Sequence, residues 1–574
     1  MVDSASTPRP AWQRWLPAGL LVALLLLGAA LYRRYGLSWD EPSNHFNGAV
    51  NVTLLIEALC PPAWQARLVP HDPLLHPTQP WPGYDHGPAF ELPAAVLGRV
   101  LYPNSPQGYF QLRHLLVWLV FAGGLVVFYR LARLRYPAGQ PGSYWLPLLG
   151  VAALVLTPRF FAEAFYNGKD IPFMVLFMLA MLTLVQLVQR PTWQRAAAHA
   201  LTTALAADVR LTGLLLLPSF TAAALLLQPW APPAPGQALL VASAGRRLGL
   251  FAGYCALALA ATVAGWPYLW ADPVGRLHDV LGRTGHFPWP GIVLYMGELI
   301  PAVRLPWHYL PVWMGITIPL PYLALLLLGA ATGLAALARR GAGVWRRPGA
   351  WLDALLLGWL LGPLLLIVAT QAVVYDGWRH LYFVYPALLL LALRGARALG
   401  GAWVARPVAR RRGVLAGAAL LLIGLDAGRT IWFIGRAYPN QQVYFSFLPA
   451  ATAEQLFERD YWGSSYRHGL EWLLGHDPAP TLTVTGPQPP ILYLNWLLLS
   501  PAQQQRIHLV PATDRSARYY FTAYRWHPQS YADTLGPEVL AYRPGGGVKA
   551  LAIFRRDSLS RPLPAVPTGR APGQ

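Results

Sequence analysis

Residues 159–190, RFFAEAFYNGKDIPFMVLFMLAMLTLVQLVQR, decide the class of fold. Arg159, Glu163, Lys169 and Asp170 crowd into its first part, and the run from Ile171 to Gln189 that follows carries no charge at all. A helix crosses a hydrocarbon layer of about 30 Å with roughly 17 to 20 apolar residues. The run therefore spans a membrane, and the ionic segment sits at its boundary.

Working outward from it, the same rule places further spans near Leu16 to Tyr32, Leu112 to Leu131, Tyr144 to Phe160, Ala196 to Leu211 and Thr212 to Gln228. Others fall near Leu248 to Leu269, Val312 to Ala338, Trp351 to Val374, Leu381 to Arg397 and Val414 to Phe433. The expected class is a polytopic α-helical membrane protein of about 11 transmembrane helices. Asp208, Arg210 and Gly213 interrupt the fifth and sixth spans, so one bent span is the alternative there. The first run continues into Arg33 and Arg34 without a small-residue cleavage pattern, which reads as an anchor and not a removable signal.

Composition agrees. Only 12% of the 574 residues are charged, where about a quarter is usual for a soluble domain, and 55% are apolar, which excludes disorder and argues against a soluble enzyme. The net charge of +20 is almost all arginine, Lys169 and Lys549 being the only lysines, a pattern of GC-biased coding; no nucleic-acid partner is expected. Cys60 and Cys255 make no metal or redox framework.

Arginines at Arg9, Arg14, Arg130, Arg133, Arg135, Arg190, Arg195, Arg246, Arg247, Arg339, Arg340, Arg346, Arg347, Arg406 and Arg410 to Arg412 fall on alternate loops, which the positive-inside rule assigns to the cytoplasm. The opposite loops hold Asp40, Glu41, Glu57, Asp72, Asp85, Glu91, Glu163, Asp170, Asp272, Asp279, Glu298 and Asp376. Either chemistry is done on that outer face, or longer loops there carry ordinary solvated charge. With an odd number of spans the N-terminus is cytoplasmic and the C-terminus outside.

Three regions follow. Residues 1–434 form the membrane domain, including a large outer loop 33–111. Residues 435–558 form a small extracytoplasmic α/β domain, with a helix over Ser465 to Leu474, an apolar stretch at Ile491 to Leu499 and strands at Thr481 to Thr485, Ile507 to Val510, Arg518 to Tyr524, Glu538 to Tyr542 and Ala550 to Arg555. Gly545, Gly546 and Gly547 mark the last hairpin. Residues 559–574, rich in proline, are read as a disordered tail.

The outer loop is too long to be a mere connection. It opens with LSWDEPSNHF, placing Asp40 and Glu41 just beyond the first helix, where a carboxylate within reach of an attacking hydroxyl acts as a general base. Trp39, Trp64, Trp81, Tyr84 and Phe90 argue against disorder, and Ala89 to Leu101 has the apolar spacing of a helix lying along the membrane interface. The charges of RFFAEAFYNGKD bind a phosphate, hold a metal or pair with one another. Asp208 and Arg210, in apolar surroundings, are functional by default or neutralise each other. In QAVVYDGWRHLYFVYP, Asp376, Arg379 and His380 open the tenth span; Arg379 is either a planar clamp for a phosphate or an interfacial anchor beside Trp378 and Tyr382. His71, Asp72, His76, Asp85 and His86 match no tight metal-ligand spacing, and Pro73, Pro77 and Pro80 argue for an extended loop. No cofactor is named, and a divalent cation stays open. The sequon at Asn51 matters only in a glycosylating secretory route.

The SWDE pair after the first span, RFFAEAFYNGKDIPF before the fourth and GWRHLYFVYP opening a late span together resemble the GT-C membrane glycosyltransferases, most nearly family 39, the protein O-mannosyltransferase and lipid A aminoarabinose transferase group. YPNQQVYFSF and FERDYWGSSYRHGLEWL resemble segments of bacterial members with an outer C-terminal domain. The resemblance implies a multi-pass enzyme of a bacterial plasma (inner) membrane that transfers one sugar, a hexose or pentose, from a polyprenyl-phosphate donor to a hydroxyl of a lipid, protein or glycan acceptor, with inversion. It implies Asp40 as the base, with Glu41 beside it, and Asp170 as the acid opening the fourth span. Arg159, Lys169, Arg210 and Arg379 would meet the carrier phosphate, with Glu163 and His380 as further substrate-binding residues. Ser446 stands where bacterial relatives often have Asn, a departure that does not touch the chemistry. The rival readings are a transporter or flippase of lipid-linked or ionic solutes, a polymerase- or ligase-type glycan transferase, and a non-catalytic assembly protein.

Overall fold

The computed structural model describes residues 11–68, 86–140, 142–226, 244–285, 289–339, 348–404, 410–514 and 516–556. In chain order the membrane domain has helices α1 (Ala11–Leu31), α2 (Glu41–Leu59), α3 (Pro62–Leu68), α4 (Glu91–Leu101), α5 (Pro106–Arg135), α6 (Trp145–Val155), α7 (Pro158–Tyr166), α8 (Asp170–Gln189) and α9 (Trp193–Ala207). It continues with α10 (Thr212–Leu226), α11 (Ala244–Gly265), α12 (Pro273–Gly285), α13 (Tyr309–Thr317), α14 (Leu320–Ala338), α15 (Pro348–Thr370), α16 (Tyr385–Val404) and α17 (Arg410–Arg436).

Among the described residues eight helices are long and apolar enough to cross a membrane, and α6 with α7 makes a ninth if that pair, bent by 67°, is one span. The chain is a polytopic helical membrane protein. The expected third span is this bent pair. Pro158 has no N–H to continue α6 and holds Thr157 extended (φ −91°, ψ 108°), so the helix restarts in a new direction. Glu163, expected in a loop, consequently lies on α7, every residue of which is buried. The expected fifth and sixth spans are α9 and α10, two separate helices of 15 residues each. At 1.5 Å per residue each reaches only about 22 Å, short of the hydrocarbon layer.

The largest apolar core runs through the membrane helices and encloses α8 almost wholly. A helix apolar on all sides belongs at the centre of a bundle, and α8 carries Asp170 at its first turn. At the far end of the bundle the buried Asp353 takes Arg135 Nε at 2.7 Å and also Arg394, tying α5, α15 and α16 together.

The long loop 33–111, expected on the outer side, contains more helix than its sequence suggests. In α2, Asn44, His45, Asn47 and Asn51 are buried among other polar groups, which hides the helical period from a hydropathy reading. The sequon asparagine Asn51 donates from Nδ2 to Asn47 O at 2.9 Å and is 2% exposed, so it offers no glycosylation site in the folded chain. The helix expected over Ala89 to Leu101 is α4; Val96, Leu97, Val100 and Leu101 are its exposed apolar side. Just before α4 the chain crosses the break between α9 and α10, and Ala89 N donates to Asp208 O at 3.0 Å. A Cβ on Gly87 would lie 2.5 Å from the Asp208 backbone.

A two-residue turn at Met296 and Gly297, both at positive φ, joins β1 (Ile292–Tyr295) to β2 (Glu298–Pro301), a hairpin absent from the sequence reading. The C-terminal region holds α18 (Ala450–Leu456), α19 (Tyr466–His476), α20 (Pro489–Trp496) and α21 (Pro501–Arg506) around strands β3 (Leu482–Thr485), β4 (Ile507–Leu509), β5 (Tyr519–Thr522), β6 (Glu538–Tyr542) and β7 (Leu551–Arg555). The sheet order is β4-β3-β5-β7-β6, with β3 parallel to both neighbours and β7 antiparallel to both of its own. Leu37, Tyr109 and Phe110 of the membrane domain belong to the apolar core of this α/β unit, and Asn495 Oδ1 accepts from Leu37 N at 3.0 Å. The unit is thus seated directly over the chain that leads into Asp40. The tail 559–574 and the ends at Arg9, Arg340, Arg346, Arg347 and Arg406 lie outside the described residues.

Gly87→Ala forces a methyl into backbone. The expected loss is about 1–3 kcal/mol, read as a lower unfolding midpoint of the detergent-purified protein, while Gly19→Ala, inside α1 where a Cβ meets nothing, does not lower the midpoint.

Candidate functional site

Four segments far apart in the chain meet around Arg379. Asp40 caps the start of α2, the turn Asn167 to Lys169 leads into Asp170 at the start of α8, Arg210 lies in the α9–α10 break, and Asp376 and Arg379 precede α16. Arg379 Nη1 donates to Asp40 Oδ2 at 2.8 Å and to Asp170 Oδ2 at 3.3 Å; its Nη2 donates to Asp376 Oδ2 at 3.0 Å. Arg210 Nη2 pairs with the other oxygen of Asp170, and Lys169 Nζ stands 3.7 Å from Asp40 Oδ2. A planar guanidinium with several fixed donors is suited to joining carboxylates in this way.

The backbone aims these groups. Asn167 Oδ1 accepts from Asp170 N at 2.9 Å, and its amide donates to Asp170 Oδ2 at 3.0 Å and to Glu163 Oε2 at 2.8 Å. Glu163 also accepts from Tyr382 at 2.7 Å, so α7 and α8 are locked at this corner. Asp376 and Gly377 both adopt positive φ, 56° and 72°. For an aspartate this backbone is costly by roughly 1–3 kcal/mol and persists only where its surroundings hold it; here it turns the carboxylate back onto Arg379.

Exposure separates the two carboxylates that share Arg379. Asp40 is 24% exposed and Asp170 only 1%, so only Asp40 can meet an incoming molecule without rearrangement. Burial by itself raises the Asp40 carboxyl, but Arg379 and Lys169 outweigh it and hold the group at about 2. Burial pulls the Lys169 ammonium down, opposed by Asp40, and keeps the His86 imidazole, 3.3 Å from Lys169 Nζ, well below its ordinary value and therefore neutral.

Beside this cluster lies a cavity of about 180 Å³ with two kinds of wall. One end is polar, formed by His86, Lys169, Arg210, His380 and Tyr375; the other is apolar, formed by residues of α10 and α15 such as Leu215, Leu216, Pro363 and Leu366. Leu215 and Leu366 are half exposed on the side of the bundle. Arg210 Nε, Arg379 Nε and His380 Nδ1 are buried without a hydrogen-bond partner among the described residues. Unmade buried hydrogen bonds of this kind call for a ligand or water.

The sequence-named residues thus divide. Asp40, Lys169, Asp170, Arg210 and Arg379 come together; Glu163 joins them through Asn167; His380 lines the cavity against Tyr375, ring centroids 4.7 Å apart. Glu41 turns elsewhere, its carboxylate held by Ser38 N at 2.7 Å and His114 Nε2 at 2.9 Å. Arg159 Nε donates to Tyr444 O at 3.2 Å within 6 Å of the Trp313, Phe445 and Tyr461 rings, an aromatic cage and not the cavity. Arg210 pairs with Asp170, so the alternative in which Asp208 and Arg210 neutralise each other fails; Asp208 Oδ1 is buried without a partner. Asp376 is in the same segment as Arg379 and joins the cluster although the sequence gives it no separate role, and Arg525, which reaches Asp376 from the C-terminal unit, has no local signal in the sequence. No group of three or more His, Cys, Asp or Glu suited to a metal gathers among the described residues; His71, Asp72, His76 and Asp85 lie outside them.

No protein-family model matches the chain, and no curated protein matches it. Among solved structures it is similar to the apo oligosaccharyltransferase of Archaeoglobus fulgidus (11% identity, TM-score 0.46, covering 92% of this chain and 71% of that one). It is similar also to ArnT from Cupriavidus metallidurans bound to undecaprenyl phosphate (14%, TM-score 0.40, 96% and 99%) and to the arabinofuranosyltransferase AftD from Mycobacteria (16%, TM-score 0.41, 97% and 40%). The identities are too low to carry any residue's role across.

The low Asp40 value has a sign that can be checked. Its contribution to stability is complete above the unfolded value of 3.8 and is lost as pH falls through about 2. The difference in unfolding midpoint between wild type and Asp40→Asn should therefore stay constant from about pH 5 to about pH 8 and narrow only below about pH 4. A difference that changes near neutrality would mean that Asp40 titrates there.

Proposed function

We propose that the chain transfers a single sugar from a polyprenyl-phosphate donor to an acceptor hydroxyl at the outer face of the plasma membrane, with inversion at the anomeric carbon. The observation that carries this reading is the cavity itself: an apolar wall half open to the side of the bundle ends in Lys169, Arg210 and His380, and Lys169 lies 3.7 Å from the partly exposed carboxylate of Asp40. A prenyl chain suits the first part, its phosphate the second, and the sugar C1 the space toward Asp40. The alternation of arginine-rich loops supports placing this end of the bundle outside the cell.

In this reading the acceptor oxygen attacks C1 as the bond from C1 to the phosphate oxygen breaks, and the electron pair leaves with the lipid phosphate. Asp40 takes the acceptor proton. A carboxylate held at about 2 is a weak base in the empty site; a phosphate that engages Lys169 competes with Asp40 for positive charge and so raises its basicity when the donor is bound. The leaving phosphate needs no proton, being already a stable anion, but its growing charge needs donors, and Arg210 with its free Nε supplies one. Losing such a preorganised donor typically costs about 3 kcal/mol of barrier. Asp170 keeps Arg210 and Arg379 in place from below.

The test is a purified assay with radiolabelled polyprenyl-phosphate mannose, glucose and arabinose, in which the label is followed into protein, lipid or glycan. Wild type transfers label with inversion, Asp40→Asn inserts normally and transfers almost none, and Arg210→Met retains the fold with turnover lower by about 100-fold. Near-normal turnover in Asp40→Asn removes it as the base. Movement of intact donor across a vesicle membrane without transfer would favour the transporter reading.

A further inference from the structure

The C-terminal unit reaches into the site at one point. Arg525, just beyond β5 and 8% exposed, sends Nη2 to Asp376 Oδ1, while Asp376 Oδ2 accepts from Arg379 Nη2 at 3.0 Å. The two oxygens of one carboxylate are thereby divided between a guanidinium of the membrane domain and one of the C-terminal unit. Arg525 is itself held: Nη1 donates to Tyr461 O at 3.1 Å and Nε to Glu458 Oε1 at 3.4 Å. Its neighbour Trp526 donates from Nε1 to Ile292 O at 2.9 Å, pinning the same segment to the β1–β2 hairpin. On the other side Gly377 N donates to Tyr309 at 3.0 Å, so the left-handed turn at Asp376 and Gly377 is clamped from both domains.

We infer that Arg525 is a positioning residue of the transfer site, a relay in which the C-terminal unit holds Asp376, Asp376 holds Arg379, and Arg379 holds Asp40 in line for the acceptor. The inference rests on the transferase reading for its catalytic consequence but on contacts alone for its mechanics. Without Arg525, Asp376 loses one of its two partners, its strained turn loses a support, and Arg379 loses the fixed point that orients it. A displacement of about 1 Å at a reacting group is worth roughly 100-fold in rate. Arg525 touches neither Asp40 nor the cavity, so the donor should bind nearly as well without it.

The experiment uses the full-length protein in detergent. Arg525→Met should raise hydrogen exchange across residues 375–384 and lower kcat by about 30-fold, with KM for the polyprenyl-phosphate donor within about threefold. Arg525→Lys, which keeps the charge, should recover a good part of the turnover; if Arg525→Met fails to accumulate, Arg525→Gln carries its readings. In an Asp376→Asn background Arg525→Met should add less than about twofold, because the two act through one contact. Unchanged exchange in the folded variant, or losses that multiply in the double variant, would overturn the relay. Exchange needs no substrate, so a wild type without transfer activity would end the functional reading and leave the relay to be decided by exchange alone.

Discussion

Arg379 is the group on which the site depends. One buried guanidinium is shared by Asp40, Asp170 and Asp376, and the first of these is 339 residues away in sequence. Leaving a buried charge unpaired costs several kcal/mol, far more than a surface pair is worth. The loop 33–111, the start of α8 and the approach to α16 are therefore held to one arrangement. Arg210 and Arg525 take the second oxygens of Asp170 and Asp376, and Lys169 stands 3.7 Å from the Asp40 oxygen that Arg379 already holds.

This clustering also explains why the surrounding architecture is irregular where it is. The bent pair α6 and α7, the break between α9 and α10, and the left-handed turn at Asp376 all lie beside the charges they deliver. Irregular backbone at membrane depth is tolerated where protein or a cavity satisfies it. Here Asn167, the strand of chain at Gly87 to Ala89 and the C-terminal unit provide the partners. Burial pushes the Glu458 carboxyl up, with Arg525 opposing.

Much of this was legible in the chain. Hydropathy locates the long spans because solvent-facing and lipid-facing helices differ in bulk composition, and Asp40, Asp170, Arg210 and Arg379 stand out because charge in or beside apolar runs is rare. What could not be read is pairing. Asp208 and Arg210 are neighbours in sequence yet Arg210 turns to Asp170, and Glu41, adjacent to Asp40, turns to Ser38 and His114. Helix α2 is hidden in the sequence because its inner side is polar, and Arg525 because it sits in a segment of ordinary composition 149 residues from Asp376.

The account stands on the cavity taking a lipid phosphate by its charge as well as its tail. Native mass spectrometry of the purified protein with undecaprenyl phosphate and with undecaprenol tests this directly. Phosphate-dependent binding that is lost when Lys169 and Arg210 are replaced by Met is the predicted result; equal binding of the alcohol and the phosphate, or binding indifferent to those two cations, would contradict it.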